Sequence, residues 1–397
     1  MGFSRSGQQV AIIGMGCTKF GDHWNRSVDD LVVDAVSEAT GTVPGLELPD
    51  IEAFWLGTAV SGQSGITLAR PLKVENRPIT RVENMCATGS EALRNAVYAV
   101  AAGAYDVAMA VGAEKLKDTN MAGLVIPGVP SDGTAADLTA PAMFSLLVPA
   151  YAEAYGVDEE TMKQVLTRIA WKNHRNGAKN PRAHFQKEVP MDTIACSPFV
   201  AGSLGIFDCS GISDGAAAAI VCRAEDVERY VDPEQAMYVR ALSLSVGTGT
   251  GTTDPNYDYT TFPEVVASAQ SAYEQAGITD PATEVSMAEV HDCFTPTELV
   301  LMEDLGFSER GQGWRDVLDG RYDLDGALPV NPDGGLKSFG HPIGASGLRM
   351  LLEMWLQFRG EAGERQLDAP SIGLTHNLGG QPGEVVSFVS IVSAEPE

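Results

Sequence analysis

With 397 residues, 44% of them hydrophobic and 20% charged, the chain carries core material for two or three domains of an ordinary globular protein. Its formal net charge of −26 sets it against nucleic-acid phosphates and anionic membrane surfaces. Six cysteines without CxxC spacing signal neither a zinc site nor a disulfide framework, no run approaches the ~20 apolar residues of a membrane span, and no signal-peptide core opens the chain. A reducing, cytoplasmic setting without bound metal is the expectation.

In chain order, Gln9 to Gly14 reads as a buried strand, Val28 to Ala39 as an amphipathic helix, and Ile51 to Gly57 as a second strand running into a Gly/Ser-rich loop. A short extended run ends near Val82. The stretch Asn84-Met85-Cys86-Ala87-Thr88-Gly89-Ser90 follows, and from Ser90 the apolar residues Ala92, Leu93, Ala96, Val97, Val100 and Ala101 recur at helical spacing. Cys86 therefore sits at a strand-to-helix turn, where helix N-terminal N–H groups favour thiolate over thiol and offer a site for a developing oxyanion.

Val107 to Val111 is a short apolar strand, after which Lys115 to Phe207 breaks the alternation with turns at Pro127-Gly128 and Pro130 and helices around Met143 to Tyr155 and Met162 to Trp171. This segment reads as an inserted subdomain. Between Lys163 and Lys187 it holds seven basic side chains and no acid. In so acidic a protein, such an island is where a phosphate-rich ligand would be held, and Arg175, Lys179 and Arg182 are the candidate contacts. A solvated helix face is the alternative.

The alternation then returns: Ala216 to Val221 and Met237 to Ser245 as strands, Ala267 to Ala276 as helix, Val285 to Val290 as strand, Pro296 to Leu305 as helix, a Gly/Pro-rich loop over Gly320 to Gly347, Leu348 to Phe358 as helix, and strands at Ser371 to Leu374 and Glu384 to Val392. The second half mirrors the first in element order, and βα alternation implies parallel strands covered by helices. Three polar motifs fall at strand ends, where open α/β sheets place their sites: His291-Asp292-Cys293-Phe294, Gly340-His341-Pro342-Ile343-Gly344-Ala345-Ser346-Gly347, and His376-Asn377-Leu378-Gly379-Gly380. His341 is the stronger candidate among the histidines, fixed by proline and ringed by glycines that allow close backbone approach.

NMCATGSEAL, DGAAAAI, HDCF, NPDGGLKSFGHPIGASG and HNLGG, in this order across nearly the whole chain, resemble the thiolase superfamily, and within it the sterol-carrier-protein type and the related archaeal and bacterial acetyl-CoA acetyltransferases. Ordinary thiolases carry Asn-Glu-Ala-Phe where this chain has HDCF, and a cysteine where Asn377 stands. The resemblance implies an α/β fold of two duplicated β-α-β-α-β-α-β-β halves layered α-β-α-β-α: residues 1–114 with 208–235, residues 236–397, and an inserted loop subdomain at 115–207.

It further implies a thiolase-type acyltransferase that makes or cleaves a 3-ketoacyl-CoA, with the coenzyme A thioester as substrate and no further cofactor. Cys86, deprotonated by His341, would take the acyl group, whose oxygen the N–H groups of Cys86 and Gly379 would hold. Cys293 would exchange the α-proton, and His341 and His291 would bind the enolate oxygen. Coenzyme A would meet the basic island. A homodimer or homotetramer is implied, paired through an edge strand of the first half for which Val107 to Val111 is the candidate, together with a possible small zinc-ribbon/OB-fold partner. A thiolase-like aldolase acting on a sterol-type side-chain CoA ester and a non-catalytic acyl-CoA-binding subunit are the alternatives. An intact Cys86 and His341 argue against both.

Overall fold

A computed structural model describes residues 8–118, 139–251 and 253–397; the turns at Pro127-Gly128 and Pro130 lie outside the described residues. The first half runs β1 (Val10–Cys17), α1 (Val28–Gly41), β2 (Ala53–Gly57), α2 (Ile66–Leu72), β3 (Ile79–Val82), α3 (Thr88–Ala101) and β4 (Val107–Glu114). Before β7 (Gly215–Arg223) come α4 (Ala140–Phe144), α5 (Leu147–Tyr155), α6 (Glu159–Ala178), α7 (Met191–Ala195) and the small hairpin β5 (Phe199–Ala201) and β6 (Leu204–Gly205). The second half follows as β8 (Met237–Val246), α8 (Pro263–Ala276), α9 (Pro281–Glu284), β9 (Met287–Glu289), α10 (Thr295–Asp304), α11 (Gly313–Leu318), α12 (Gly335–Ser338), α13 (Ser346–Phe358), β10 (Ile372–Gln381) and β11 (Glu384–Ser393).

Among the described residues, nine strands pair in the order β3-β2-β4-β7-β1-β8-β11-β10-β9, with β1 and β8 meeting antiparallel at the centre. Moving outward from that seam, each half places its last strand antiparallel to its first, the next antiparallel again, and then a parallel strand. The first half ends on β3, parallel to β2; in the second half that position shrinks to one parallel bridge, Ala288 to Val330. The duplication that the sequence carries only as element order is thus explicit in the strand pairing.

Alternating side chains along each strand face opposite layers. Ala11 and Ile13 of β1 pack with Leu31, Val32 and Ala35 of α1, whereas Val10 and Ile12 join a central cluster with Leu93 and Val97 of α3 and Leu348 and Leu351 of α13. Phe388 of β11 faces the same centre, while Val385 and Val389 pack outward against Val265 and Ala269 of α8. The result is the expected α-β-α-β-α layering, with α3 and α13 as its middle. Their N-terminal ends touch: a Cβ on Gly347 would lie 2.6 Å from Ser90 N, and one on Gly89 2.7 Å from Gly344 O. Glycine at both places is what lets the Cys86 turn and the His341 loop converge.

One expectation fails here. Val107 to Val111 belongs to β4, which is paired on both sides, to β2 and to β7, and is buried throughout. It is apolar because both its faces are covered, and the free edge of this half is β3. Among the described residues no helix is long and apolar enough to cross a membrane.

Candidate functional site

The turn between β3 and α3 is held by its own backbone and one hydroxyl. Ala87 N donates to Asn84 O and Thr88 N to Met85 O, while Thr88 Oγ1 accepts from Asn84 N (2.9 Å) and donates to Met85 O (2.5 Å). Met85 takes φ 50°, a left-handed conformation that a bulky residue adopts only where the surroundings enforce it. These constraints present the Cys86 thiol inward, 9% exposed, where the Gly380 N–H donates to its sulfur. Gly379, whose N–H is expected to hold the acyl oxygen, also permits close contact here, since a Cβ there would sit 2.9 Å from Met85 Cβ and 3.2 Å from Cys86 N. Gly380, at φ 97°, turns its own amide toward the sulfur.

Burial pushes the Cys86 thiol up to about 12, with the Glu114 and Glu83 carboxylates adding to the rise and the Gly380 N–H opposing it. A helix N-terminus is worth ~0.3–1 kcal/mol to an anion. A rise from 9.0 to about 12 corresponds to about 4 kcal/mol. Desolvation is the larger influence on this thiol, and it works against the thiolate that the helix end favours.

Two imidazoles are adjacent. One donor atom each of Cys86, His291 and His341 lies within 4.8 Å of the other two. Ser346 Oγ lies 2.8 Å from His341 Nδ1 and 3.0 Å from Pro342 O; in the tautomer where the hydroxyl gives its proton to Pro342 O and accepts from Nδ1, Nε2 keeps its lone pair. Nε2 is buried with no partner. Burial, then the Arg349 charge, hold His341 down at about 3, and burial, then His341, keep His291 well below its ordinary value. Both rings are neutral, and they meet edge to face at 5.2 Å.

Cys293 is buried, with its sulfur 3.8 Å from Thr297 Oγ1. Burial, and next the proximity of Cys86, raise its thiol well above the usual range, so it rests protonated beside the first sulfur. Asp292, to which the sequence assigns no role, fastens the whole loop: its carboxylate accepts from Leu336 N (2.6 Å), Lys337 N (3.2 Å) and Asn173 Nδ2 (2.8 Å). Gly335, at φ 62°, leaves no room for a Cβ, which would lie 2.3 Å from Asp292 Oδ2. The HDCF and NPDGGLKSFGHP motifs are therefore one construction. Asn377 accepts from Ser90 Oγ at 2.5 Å and so braces α3 where ordinary thiolases carry a cysteine.

The basic island is largely committed elsewhere. Lys172 pairs with Glu298 at 2.9 Å, Arg168 with Asp323, and Arg182 with Glu38 at 2.5 Å; Arg182 also donates to Cys17 O. Arg182 is thus not a free phosphate contact: its partners lie far away in sequence, beyond the reach of a local charge count. Arg175 stacks over Trp171, with Glu188 at 3.8 Å, and Lys179 caps α6. A cavity of about 550 Å³ opens between α5, α6 and α7, lined by Leu146, Val148, Met162, Leu166, Phe199 and Asp208. Asp208 Oδ1 accepts from Thr295 Oγ1 at 2.6 Å, which joins this cavity wall to the loop carrying Cys293.

The family models for the thiolase N-terminal domain and the thiolase C-terminal domain-like region match residues 10–225 and 248–390. The chain is 37% identical over 390 residues to the acetyl-CoA acetyltransferase of Methanothermobacter thermautotrophicus, covering 95% of this chain and 97% of that one. It is 32% identical over 391 residues to sterol carrier protein 2 of Homo sapiens, covering 94% of this chain and 70% of that one. Among solved structures, the Ltp2-ChsH2(DUF35) aldolase superposes with a TM-score of 0.83 at 24% identity, covering 98% of this chain and 99% of that one.

Proposed function

The chain belongs to the thiolase family, and from that membership we propose that it is an acyl-CoA C-acyltransferase working through a Cys86 acyl-enzyme, in the manner of an acetyl-CoA acetyltransferase or 3-ketoacyl-CoA thiolase. The observation that carries this reading is the convergence of the Cys86 sulfur on His291 and His341, with His341 Nε2 buried and partnerless. His341 Nε2 takes the thiol proton as sulfur attacks the thioester carbonyl. The S-acyl bond to Cys86 forms and the bond to coenzyme A breaks, its thiolate leaving with the proton. The amides of Cys86 and Gly379 hold the carbonyl oxygen during transfer.

In the second half-reaction, for condensation, the Cys293 thiol first gives its proton to His341. The Cys293 thiolate then takes the α-proton of a second acyl-CoA, the imidazolium N–H of His341, with His291, holds the enolate oxygen, and that imidazolium proton passes to the Cys86 thiolate as it is released. The enolate carbon displaces Cys86, or the reverse sequence cleaves a 3-ketoacyl-CoA. We place the acyl chain toward the cavity at Leu146, Met162 and Leu166. Likeness to an aldolase at 24% identity carries the fold alone, and the assembled Cys86 cluster favours the acyl-enzyme over the aldolase and non-catalytic readings.

Cys293→Ala separates the two half-reactions. It is expected to gain the acetyl mass from acetyl-CoA while condensation and thiolysis fall by roughly 10²–10⁴-fold, the usual contribution of a positioned acid or base. Deuterium exchange at the α-carbon of acetyl-CoA is the direct measurement. Undiminished exchange would move the proton transfer to another group.

The proposal includes a homodimer or homotetramer built across the β3 edge. That edge has Ile79, Arg81 and Val82 half-buried and Thr80 exposed, and it ends beside the exposed Met85. Light scattering at micromolar concentration should give two or four times 42.0 kDa. A single 42.0 kDa species would remove the pairing.

A further inference from the structure

Cys86, His291 and His341 are separated by 205 and 50 positions, so no local zinc spacing exists to be read; the fold nevertheless gathers one thiol and two imidazoles, all buried, with a donor atom of each within 4.8 Å of the others. We propose that this cluster, before it meets substrate, is a three-donor site for a zinc-group cation, and that Zn²⁺ or Cd²⁺ bound there reversibly blocks acylation. The metal is an inhibitor in this proposal, not a cofactor. It rests on the reading of Cys86 as the acyl acceptor.

Two observations beyond proximity support the site. First, His341 Nε2 and His291 Nδ1 are buried polar atoms without a partner, and unmatched buried imidazole nitrogens are a demand that a cation can meet. Second, His341 Nδ1 sits 2.8 Å from Ser346 Oγ, an outer partner of the kind that orients metal-binding imidazoles, and Nε2 is left as the ring nitrogen without a partner. Thiolate and imidazole are the donor types zinc selects. With Zn–S near 2.3 Å and Zn–N near 2.0–2.1 Å, tetrahedral ligand atoms stand roughly 3.3–3.6 Å apart. Closing the cluster asks for movements of about 1 Å, which torsions of three side chains on loops can supply.

The charge balance is also favourable. On binding, the Cys86 S–H bond breaks, an S–metal bond forms, and the proton leaves to solvent, with no change of oxidation state. The remaining positive charge faces the buried Glu114 carboxylate, which acts on the Cys86 sulfur. The nearby Arg349 is already matched by Glu289 and Asp333. A fourth coordination position remains for water, as in open zinc sites.

Cobalt is the spectroscopic probe. Titrating substrate-free protein with Co²⁺ should produce a thiolate-to-cobalt charge-transfer band saturating at one equivalent per chain and displaced by Zn²⁺. Cys86→Ala and Cys86→Ser should both lack the band, and His291→Ala should weaken Co²⁺ binding at least tenfold. In zinc-buffered solution, acetyl transfer to the wild type, read by intact mass, should slow at least tenfold and recover with a chelator. No band in the wild type, or an undiminished band in both Cys86 variants, overturns the site. A band as described in a protein that never gains acetyl mass leaves the metal site standing and sinks only the acyl-enzyme reading.

Discussion

Cys86→Ala is expected to lose acyl transfer by at least about 10⁴-fold, since no other group can form the covalent intermediate, while remaining folded. The thiol contributes little to packing: it is 9% exposed and touches a small satellite cluster with Leu116 and Ile343 rather than any of the three main cores. Deleting one sulfur there should cost on the order of 1 kcal/mol. Intact-mass measurement after exposure to acetyl-CoA is the decisive test, with thermal unfolding as its control. An acetyl adduct on the Ala variant, or none on the wild type, would reassign the nucleophile. A collapse of thermal stability would show instead that the turn, with Met85 at φ 50°, needs the cysteine to hold its shape.

The residues that converge at the site were legible because each stands in a short motif at a strand end, and the fold only had to bring the ends together. Which amide serves the sulfur was not. Gly379 and Gly380 are equivalent in sequence, and only the left-handed φ of 97° at Gly380 aims the second one. Similarly, the apolar run at Val107 reads alike for an edge strand buried by a partner and an inner strand buried by its own sheet, since periodicity reports coverage and not what covers. Charge counting along Lys163 to Lys187 does not tell which of these side chains are already paired, for a related reason. Glu38, Glu298 and Asp323, which neutralise Arg182, Lys172 and Arg168, come from elsewhere in the fold. The helix around Met143 to Tyr155 divides in two at Ser145 and Leu146, a break that hydrophobic spacing alone does not mark. Asp292 was printed inside a recognised motif, yet its role exists only with Gly335 and the amides of Leu336 and Lys337 against it.

Arg349→Met should be the most destabilising single change near the site. Arg349 is fully buried; its Nη1 donates to Glu289 Oε2 at 2.7 Å and to Asp333, and its guanidinium carbon lies 5.1 Å from the Phe339 ring centroid. These three residues tie together the strand leading into His291, the turn before Gly335 and the helix after His341. Removing the cation leaves two buried carboxyl groups facing each other, a loss of roughly 3–5 kcal/mol for a broken buried pair, or about 4–6 °C in unfolding temperature for a chain of this size. The effect has a sign in pH. Burial, then Asp333, already hold the Glu289 carboxyl above its ordinary range against the lowering pull of Arg349, so in the variant it rises further and Glu289 stays protonated when folded. The unfolded chain then binds fewer protons than the native one once pH exceeds the ordinary glutamate value, and stability falls as pH rises toward the folded value. The deficit relative to the wild type should therefore be larger at pH 8 than at pH 5. Adding Glu289→Gln and Asp333→Asn to Arg349→Met should restore most of it, because no uncompensated charge remains. An Arg349→Met variant that unfolds at the wild-type temperature at both pH values, or one that the two neutralising changes fail to rescue, would show that shape rather than charge holds these loops together.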